Sequence, residues 1–375
     1  MRFSEVIGHK EIGERLRNGV QSNRVAHAQL FDGPEGSGTL ALALAYARYL
    51  HCNDRTDLDS CGECSSCRSY DSLQHPDLHW SFPFFKKDGG EHATSLPFQS
   101  AWRLRMLAGP YFGQAEWLDA IGADKKQLFI SVHEAMEINR KLGLKSFQGG
   151  WKVLICWLPE TMRVDTANKM LKLIEEPTDR TVMLFVSEHF DALLATIRSR
   201  VQTIRVPRLS DGEAASALTE RFDVEASMAS QWAQVVDGNV AAALRLEQSE
   251  GSGTDHGLFV RWMRACYGQD SAVIVELAEE VSKLGREAMK RFFIYSMHMV
   301  RHCIVGNYGA MELVRLTAEE RNFAEKFAPF IHHDNVISLQ TLLEKAHGDV
   351  AGNVNGRLVF LDLSVQVNIL LRKTT

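Results

Sequence analysis

The sequence lacks any run of roughly eighteen apolar residues, the length that a membrane-spanning helix needs. Residues 1–16 carry charges where a secretory signal requires an apolar core. A basic excess is also missing, because 42 Lys and Arg residues stand against 47 Asp and Glu residues, for a net charge of -5. A protein that grips duplex DNA alone usually has a basic balance. We therefore expect a cytoplasmic protein without membrane contact, in which any DNA contact is local or shared with partners.

Cysteine is scarce, and most of it is clustered. Seven cysteines in a reducing compartment argue against a disulfide framework and favour metal binding where they cluster. Four of them follow the spacing C-x8-C-x2-C-x2-C, which lets four thiolates complete a closed tetrahedral zinc site. A redox dithiol and unrelated core cysteines are the alternatives. Cys156, Cys266 and Cys303 lie alone in apolar surroundings, where packing is the expected role. The predicted structural zinc knuckle spans residues 52–67, with the ligands Cys52, Cys61, Cys64 and Cys67.

Short apolar segments in the first half of the chain predict buried strands. They cover residues 26–32, 151–156 and 181–187, and each is bounded by polar residues. Between the last two, residues 165–176 have the periodicity of an amphipathic helix, which Pro177 ends. Strands that alternate with helices indicate an α/β domain with a parallel sheet covered on both faces.

The chain is too long for one compact core, and its character changes near residue 208. We predict an α/β domain over residues 1–207, a small helical domain over 208–250 and a helical C-terminal domain over 255–375. Residues 248–255 are polar and glycine-rich and predict a linker. Residues 82–127 are aromatic-rich and fit neither pattern, which indicates a partly helical insertion on the α/β domain.

A glycine loop follows the first predicted strand. Gly33, Gly36 and Gly38 stand in the register of a P-loop, whose backbone amides surround phosphate groups. A working P-loop also needs a Lys for the phosphate oxygens and a Ser or Thr hydroxyl for magnesium. Thr39 and Leu40 occupy those two positions. We expect a degenerate P-loop without hydrolysis, whereas a chance glycine turn is the alternative.

Two other catalytic parts are missing with the lysine. After the strand predicted over residues 151–156, the positions of the acidic pair that holds magnesium and water carry Trp157 and Leu158. In the helical segment 238–244, Ala241 stands where related ATPases place a phosphate-sensing Arg. Magnesium-dependent ATP hydrolysis by this chain alone is therefore not expected.

The order of several short motifs carries a family resemblance. Besides the loop and the cysteines, the motifs are His27-Ala28-x-Leu30-Phe31, His75-Pro76-Asp77, Lys152-Val153-Leu154-Ile155, Ala167-Asn168-Lys169-x-Leu171-Lys172-x-Ile174-Glu175-Glu176-Pro177 and Thr196-Ile197-Arg198-Ser199-Arg200. Over residues 3–206 the chain resembles the bacterial clamp-loader AAA+ subunits of DNA polymerase III. The resemblance implies an AAA+ P-loop-type parallel sheet domain with a zinc knuckle, then a small helical lid and an all-α C-terminal collar domain.

The resemblance also implies a role and partners. The family contains the ATP-hydrolysing gamma/tau subunit and the delta-prime branch, which commonly lacks a working ATP site, so the missing parts favour delta-prime. Arg200 matches the family's Ser-Arg-Cys motif, although Val201 replaces the Cys, and would act as an arginine finger in a neighbouring subunit's ATP site. A solvated arginine is the plain alternative. The implied partners are the delta and gamma/tau subunits and, through the complex, the sliding clamp and primer-template DNA.

Two competing interpretations belong to other classes of protein. The first is an ATP-hydrolysing gamma/tau-type subunit with divergent motifs, which would require Thr39 and Leu40 to replace a cation and a magnesium ligand. The second is a zinc-dependent DNA-binding protein in which the knuckle reads bases. Acidic residues around the cysteines would repel phosphates, which disfavours that reading: Asp54, Asp57, Asp59 and Glu63.

Overall fold

A computed structural model describes residues 1–86, 93–123, 126–248, 252–309, 316–352 and 354–372. The chain divides into two compact units. The first comprises Met1–Ala233 and Asp237–Ala243, and the second comprises Gln234–Val236 and Leu244–Thr375. Within the described ranges, no helix is both long enough and apolar enough to cross a lipid bilayer.

The first unit is built on a five-stranded sheet in the order β2-β3-β4-β1-β5, and every pairing is parallel. Strands β3 and β4 are buried along their whole length, as expected for central strands covered on both faces. The predicted α/β class with a parallel sheet is confirmed. The strands are β1 (Ala28–Asp32), β2 (Leu78–Ser81), β3 (Lys152–Trp157), β4 (Thr181–Ser187) and β5 (Gln202–Arg205).

Helices pack on both faces of this sheet. One core lies between the strands and the apolar sides of α6 and α7, while α2 is buried along all of its residues. Helix α2 begins after Gly38 and ends at His51, and Cys52 is its C-cap. The helices of the first unit are α1 (Lys10–Gln21), α2 (Thr39–His51), α3 (Ser65–Asp71), α4 (Gln99–Leu107), α5 (Gln114–Ala120), α6 (Val132–Gly143), α7 (Val164–Glu175), α8 (Ala195–Arg198) and α9 (Asp211–Phe222), with most of α10 (Ala226–Val235) and the start of α11 (Val240–Gln248).

The predicted insertion over residues 82–127 contains α4 and α5, while residues 87–92 and 124–125 lie outside the described residues. Its interior is aromatic. Trp102 stacks on Phe82 at a centroid distance of 4.4 Å and meets Trp117 edge-on at 5.2 Å. The Trp117 indole donates a hydrogen bond to the Pro83 carbonyl at 2.7 Å, so this large side chain is buried without an unpaired donor.

The second unit is helical throughout its described part and has its own apolar core. Helix α12 begins at Ser252, so the prediction of a linker is wrong for residues 252–255, where Asp255 lies in the first turn and interacts favourably with the positive end of the helix dipole. The division into a lid over 208–250 and a collar over 255–375 remains a prediction. The remaining helices are α12 (Ser252–Gly268), α13 (Ser271–Lys283), α14 (Arg286–Asn307), α15 (Ala318–Phe327), α16 (His333–Ala351) and α17 (Gly356–Leu371).

Candidate functional site

The glycine loop joins β1 to the first turn of α2. The Gly33 amide donates to the Ser187 carbonyl at 3.2 Å, which fixes the start of the loop against β4. Gly36 and Gly38 have φ values of +74° and +94°, a backbone conformation that glycine adopts without steric cost. The loop therefore turns at Gly36 and Gly38 at the carboxyl end of a parallel strand, and its assignment as a degenerate P-loop stays a prediction.

The start of α11 lies directly against this loop. A methyl group added to Gly36 would lie 1.9 Å from Asn239 Oδ1 and 3.1 Å from the Ala241 amide nitrogen. The Asn239 side chain also accepts a hydrogen bond from the Ala242 amide at 2.9 Å, which caps α11. Ala241, the predicted position of the missing sensor arginine, is thus beside the loop. Asn239 is a neighbour that the sequence analysis missed, although an Asn before a helical segment is a capping signal.

The two substituted positions in the loop are inside the protein. Thr39 and Leu40 are buried, as is Ser37, whose hydroxyl has no hydrogen-bond partner among the described residues. The Ser37 carbonyl is hydrogen-bonded to a ring nitrogen of His9 at 2.7 Å. None of these side chains supplies the cation or the magnesium-binding hydroxyl arrangement that phosphoryl transfer uses.

The end of β3 carries apolar side chains where an acidic pair was sought. Trp157 and Leu158 are both buried. Glu160 follows them, and one of its carboxylate oxygens accepts hydrogen bonds from the amides of Glu188 at 3.0 Å and His189 at 3.2 Å. Burial raises the pKa of Glu160, although those amide hydrogen bonds oppose the shift. This carboxylate therefore ties the end of β4 to the end of β3.

An open groove of about 650 Å³ lies on the β5 side of the loop. It is lined at one end by Asp32, Gly33 and Pro34 and at the other by residues 188–192 and 205–207. Burial raises the pKa of Asp32, and the Arg205 guanidinium opposes that shift. The lining includes neither Gly36 nor Gly38, so the groove reaches only the beginning of the loop.

Arg200 lies between α8 and β5 on the surface of the first unit. Its side chain is 37 % exposed, and its Nε donates to a carboxylate oxygen of Glu175, the last residue of α7. The guanidinium also donates to the Thr196 carbonyl at 3.0 Å and the Ser199 hydroxyl at 3.1 Å. The motif around Arg200 did not predict Glu175 as its partner. Arg198, two residues earlier, is held differently, over the Phe190 ring at 5.2 Å.

The four clustered cysteines converge in space. Their sulfur atoms all lie within 4.8 Å of one another. The Cys52–Cys61, Cys61–Cys67 and Cys64–Cys52 sulfur separations are 3.5, 3.9 and 4.0 Å. Tetrahedral zinc with Zn–S bonds of about 2.3 Å separates its sulfurs by roughly 3.8 Å. The arrangement therefore fits a four-thiolate metal site.

Backbone amides and burial act on the charge of these sulfurs in opposite directions. The Cys61 sulfur accepts from the amides of Cys64 at 3.3 Å and Glu63 at 3.4 Å, and these bonds lower its pKa to about 7. Burial raises the pKa of Cys67. Arg48, 3 % exposed, pairs with Asp71 at 2.8 Å and places its positive charge near the Cys67 sulfur. Burial likewise raises the pKa of Cys52, so the Cys52 and Cys67 thiolates would need a bound cation to stabilise their charge.

Comparison with known proteins assigns a family. The family model described as "DNA polymerase III, delta subunit" matches residues 8–210, more than half of the chain. The chain belongs to this family. This member is 28% identical over 235 residues to the DNA polymerase III subunit delta' of Bacillus subtilis, and 30% identical over 181 residues to that of Yersinia pestis. It is 26% identical over 200 residues to the gamma/tau subunit of Mycobacterium tuberculosis.

The coverage of these matches is partial. They cover 63%, 48% and 53% of this chain and 58%, 41% and 27% of the Bacillus, Yersinia and Mycobacterium proteins. Less than two thirds of each relative's length is therefore matched. The resemblance to delta-prime clamp-loader subunits that the motifs carry is confirmed.

Proposed function

We propose that the chain is a non-hydrolysing, delta-prime-type subunit of the DNA polymerase III clamp loader, and that it supplies Arg200 to the ATP site of a neighbouring subunit. One observation supports the proposal: the glycine loop turns at Gly36 and Gly38 after β1, while Thr39, Leu40 and Trp157 occupy the positions where a working ATP site would carry its catalytic side chains. Family membership supports the assembly in which such a subunit works.

The proposed loss of ATP hydrolysis follows from the missing charged side chains at the loop and at the end of β3. Transfer of a γ-phosphate requires cations against the phosphate oxygens and carboxylates that hold magnesium and orient water. Thr39 is neutral, Leu40 has no oxygen, and Glu160 already accepts two backbone amides. No described part of this loop and its neighbouring strand ends supplies the missing set, so the subunit would position other groups instead of turning over ATP.

Arg200 has the properties that a finger requires. Its guanidinium is permanently charged and presents several donors in a fixed fork, which suits the equatorial oxygens of a transferring phosphate. The side chain is partly exposed, and its pair with Glu175 is at the surface, where an ion pair contributes little and can exchange for a stronger anion. The proposed finger is therefore held in place in the free subunit yet available to a partner's nucleotide.

Structural zinc is the cofactor that the cysteine cluster fits best. When bound, Zn²⁺ neutralises the thiolates and links the end of α2 to α3. Cys52, Cys61, Cys64 and Cys67 would hold the ion, and the amides of residues 61, 63, 64 and 67 would stabilise the sulfur charge. We assign the site a role in stability, because four sulfurs leave no coordination position for a reaction.

The proposed partners follow from the family. They are the delta and gamma/tau subunits, with the sliding clamp and primer-template DNA reached through the complex in the cytoplasm. The second unit, helical in its described part, is the proposed oligomerisation region, or collar. Lys169 and Lys172 are exposed on α7 and are candidate contacts to the DNA backbone.

The test uses a clamp loader reconstituted from full-length subunits. Arg200→Ala is expected to lower DNA-stimulated ATP turnover by the complex at least tenfold, because the transition-state charge loses a cation. Arg198→Ala is the matched control, since Arg198 lies two residues away and is expected to leave turnover within about twofold. Both variants should assemble normally in gel filtration. Unchanged turnover with Arg200→Ala would contradict the arginine-finger assignment.

A further inference from the structure

The insertion between β2 and α6 reaches the glycine loop. Tyr111, which follows α4, is buried, and its ring lies 3.3 Å from the position of a methyl group added to Gly38. The Tyr111 hydroxyl accepts a hydrogen bond from the Ile7 amide at 2.8 Å. Glu35 lies against Gly113, where an added methyl would be 2.2 Å from its carboxyl group. Tyr111 and Gly113, two residues apart in the insertion, therefore meet the loop at two points.

The same segment also covers the end of β3. The Phe112 ring lies 5.3 Å from the Trp157 ring, and Trp102 lies 5.2 Å from Trp157. Arg105 places its guanidinium over the Phe112 ring at 4.6 Å. Trp157, which stands at the missing acidic position, is thus part of the aromatic interior of the insertion. Phe112 and Trp102 therefore pack against the end of β3, while the preceding Tyr111 reaches the loop at Gly38.

These contacts place side chains against the loop backbone at Gly36 and Gly38. A phosphate must bring its oxygens to about 2.9 Å from backbone nitrogens to be bound there. Tyr111 lies against Gly38, Asn239 lies against Gly36, and the intervening Ser37 is 1 % exposed. The neighbouring open groove includes Gly33 and Pro34 in its lining but stops before these residues.

We propose that Tyr111, backed by Phe112, occupies the nucleotide site of this chain, so that nucleoside triphosphates are excluded because a side chain fills the site as well as because the charged groups are missing. The proposal rests on the proposed function, because it takes the loop to be a degenerate nucleotide site. In this proposal the aromatic insertion keeps the nucleotide site closed while the loop retains its backbone shape.

Nucleotide binding to the isolated full-length chain tests the proposal. The parent variant carries Thr39→Lys and Leu40→Thr, which restore the loop side chains. Tyr111→Ala is added to open the site, and Tyr111→Leu is added as a control that keeps most of the volume filled. Calorimetry with Mg-ADP is expected to give a dissociation constant at least tenfold lower for the Ala variant than for the parent or the Leu variant. Equal binding by all three, or by none, would overturn the proposal.

Hydrogen exchange supplies a second measurement that needs no change in the loop. Amides of residues 36–40 are expected to exchange at least tenfold faster in Tyr111→Ala than in the wild type, while Tyr111→Leu remains near the wild-type rate. Tyr111→Val replaces the Ala variant if thermal melting shows that the latter does not fold. Unchanged exchange of these amides would contradict occupancy. Both experiments omit partner subunits, so their outcome is independent of whether Arg200 acts as a finger.

Discussion

The cysteine cluster and the glycine loop are two sites that sequence motifs predicted in the same unit. They differ in whether the side chains or the backbone of the predicted site are present. At the cysteine cluster every ligand side chain is present and the sulfur separations suit one metal ion. At the glycine loop the backbone turns at Gly36 and Gly38, whereas Thr39 and Leu40 stand where the predicted P-loop would need a lysine and a magnesium-binding hydroxyl. A site made of side chains is lost by substitution, but a site made of backbone can persist as a structural turn.

The largest expected effect is at the cysteine cluster. Cys64→Ser removes one of four sulfur ligands, and we expect loss of stoichiometric zinc together with a fall of several kcal/mol in the free energy of unfolding. Metal content measured by atomic emission and urea denaturation check both expectations. Cys156→Ala is the matched control, because Cys156 is a buried β3 cysteine outside the cluster, and it should leave the zinc content unchanged. A wild-type protein that is fully folded and contains no metal would contradict the assignment of the cysteine cluster as a structural metal site.

An intermediate effect is expected at Asp77, which follows the cysteine region. Its buried carboxylate accepts from the Ser146 hydroxyl at 3.0 Å and from the amides of Phe147 at 2.7 Å and Gln148 at 3.0 Å. Burial alone would raise the pKa of Asp77, but these hydrogen bonds lower it below the ordinary value. Asp77→Ala leaves the donors unpaired and should cost about 3 kcal/mol of folding free energy.

The pH dependence of this effect has a defined sign. Because the folded-state pKa of Asp77 is depressed, its stabilisation is present above the unfolded-state pKa near 4 and is lost as the pH falls through the folded value. Asp77→Asn, which cannot ionise, should therefore differ most from the wild type at pH 7 and least near pH 3. Urea denaturation across this range measures the difference. A constant difference at every pH would contradict the assignment.

A smaller effect is expected at the loop itself. Asn239→Ala removes the cap of α11 and a contact to Gly36, and should cost about 1 kcal/mol while the fold and the loop turn persist. Asn239→Ser is the matched control, because a serine hydroxyl can cap the same helix. Thermal melting checks the order of stability of the wild type, Asn239→Ser and Asn239→Ala. Global unfolding of the Asn239→Ala variant would contradict this prediction. It would mean that the fold depends on Asn239 as strongly as we expect it to depend on Cys64.

The smallest effect on stability is expected at the surface pair of Arg200 and Glu175. Both side chains are partly exposed, and Glu175→Gln should change the free energy of unfolding by less than about 1 kcal/mol. If Glu175 positions the proposed finger, the same variant should change the turnover of the reconstituted loader more than it changes stability. Glu176→Gln, one residue further along the chain, is the matched control. Equal turnover for both variants would leave Glu175 without a positioning role.

The central strands were predictable because their sequence signal is strong. β4 has the predicted bounds, and β1 and β3 are each displaced by two residues or fewer at either end, since continuous apolar runs suit strands buried on both faces. β2 and β5 were missed. Both are only four residues long, and β5 is an edge strand in which Ile204 alone is buried, so neither has an apolar run.

The two candidate sites also differed in how far the sequence predicted their contacts. The cysteine spacing is local and predicts which side chains meet, and the structure brings all four together. The contacts of Tyr111 with Gly38 and of Asn239 with Gly36 join residues that are distant in the sequence, and no periodicity or motif marks the Tyr111 contact. Family resemblance identified Arg200, but its ion pair with Glu175 depends on how α7 and α8 pack.

Helix α2 is bounded by Gly38 at one end and Cys52 at the other, with all thirteen residues between them buried. At 1.5 Å per residue it is a rod of roughly 20 Å. Because the helix is buried along its full length, it cannot shift or tilt without disrupting the packing of the surrounding core. With the proposed zinc ion bound, anchorage at Cys52 would also restrain the glycine end of the helix, which would favour the same loop turn in the absence of a phosphate.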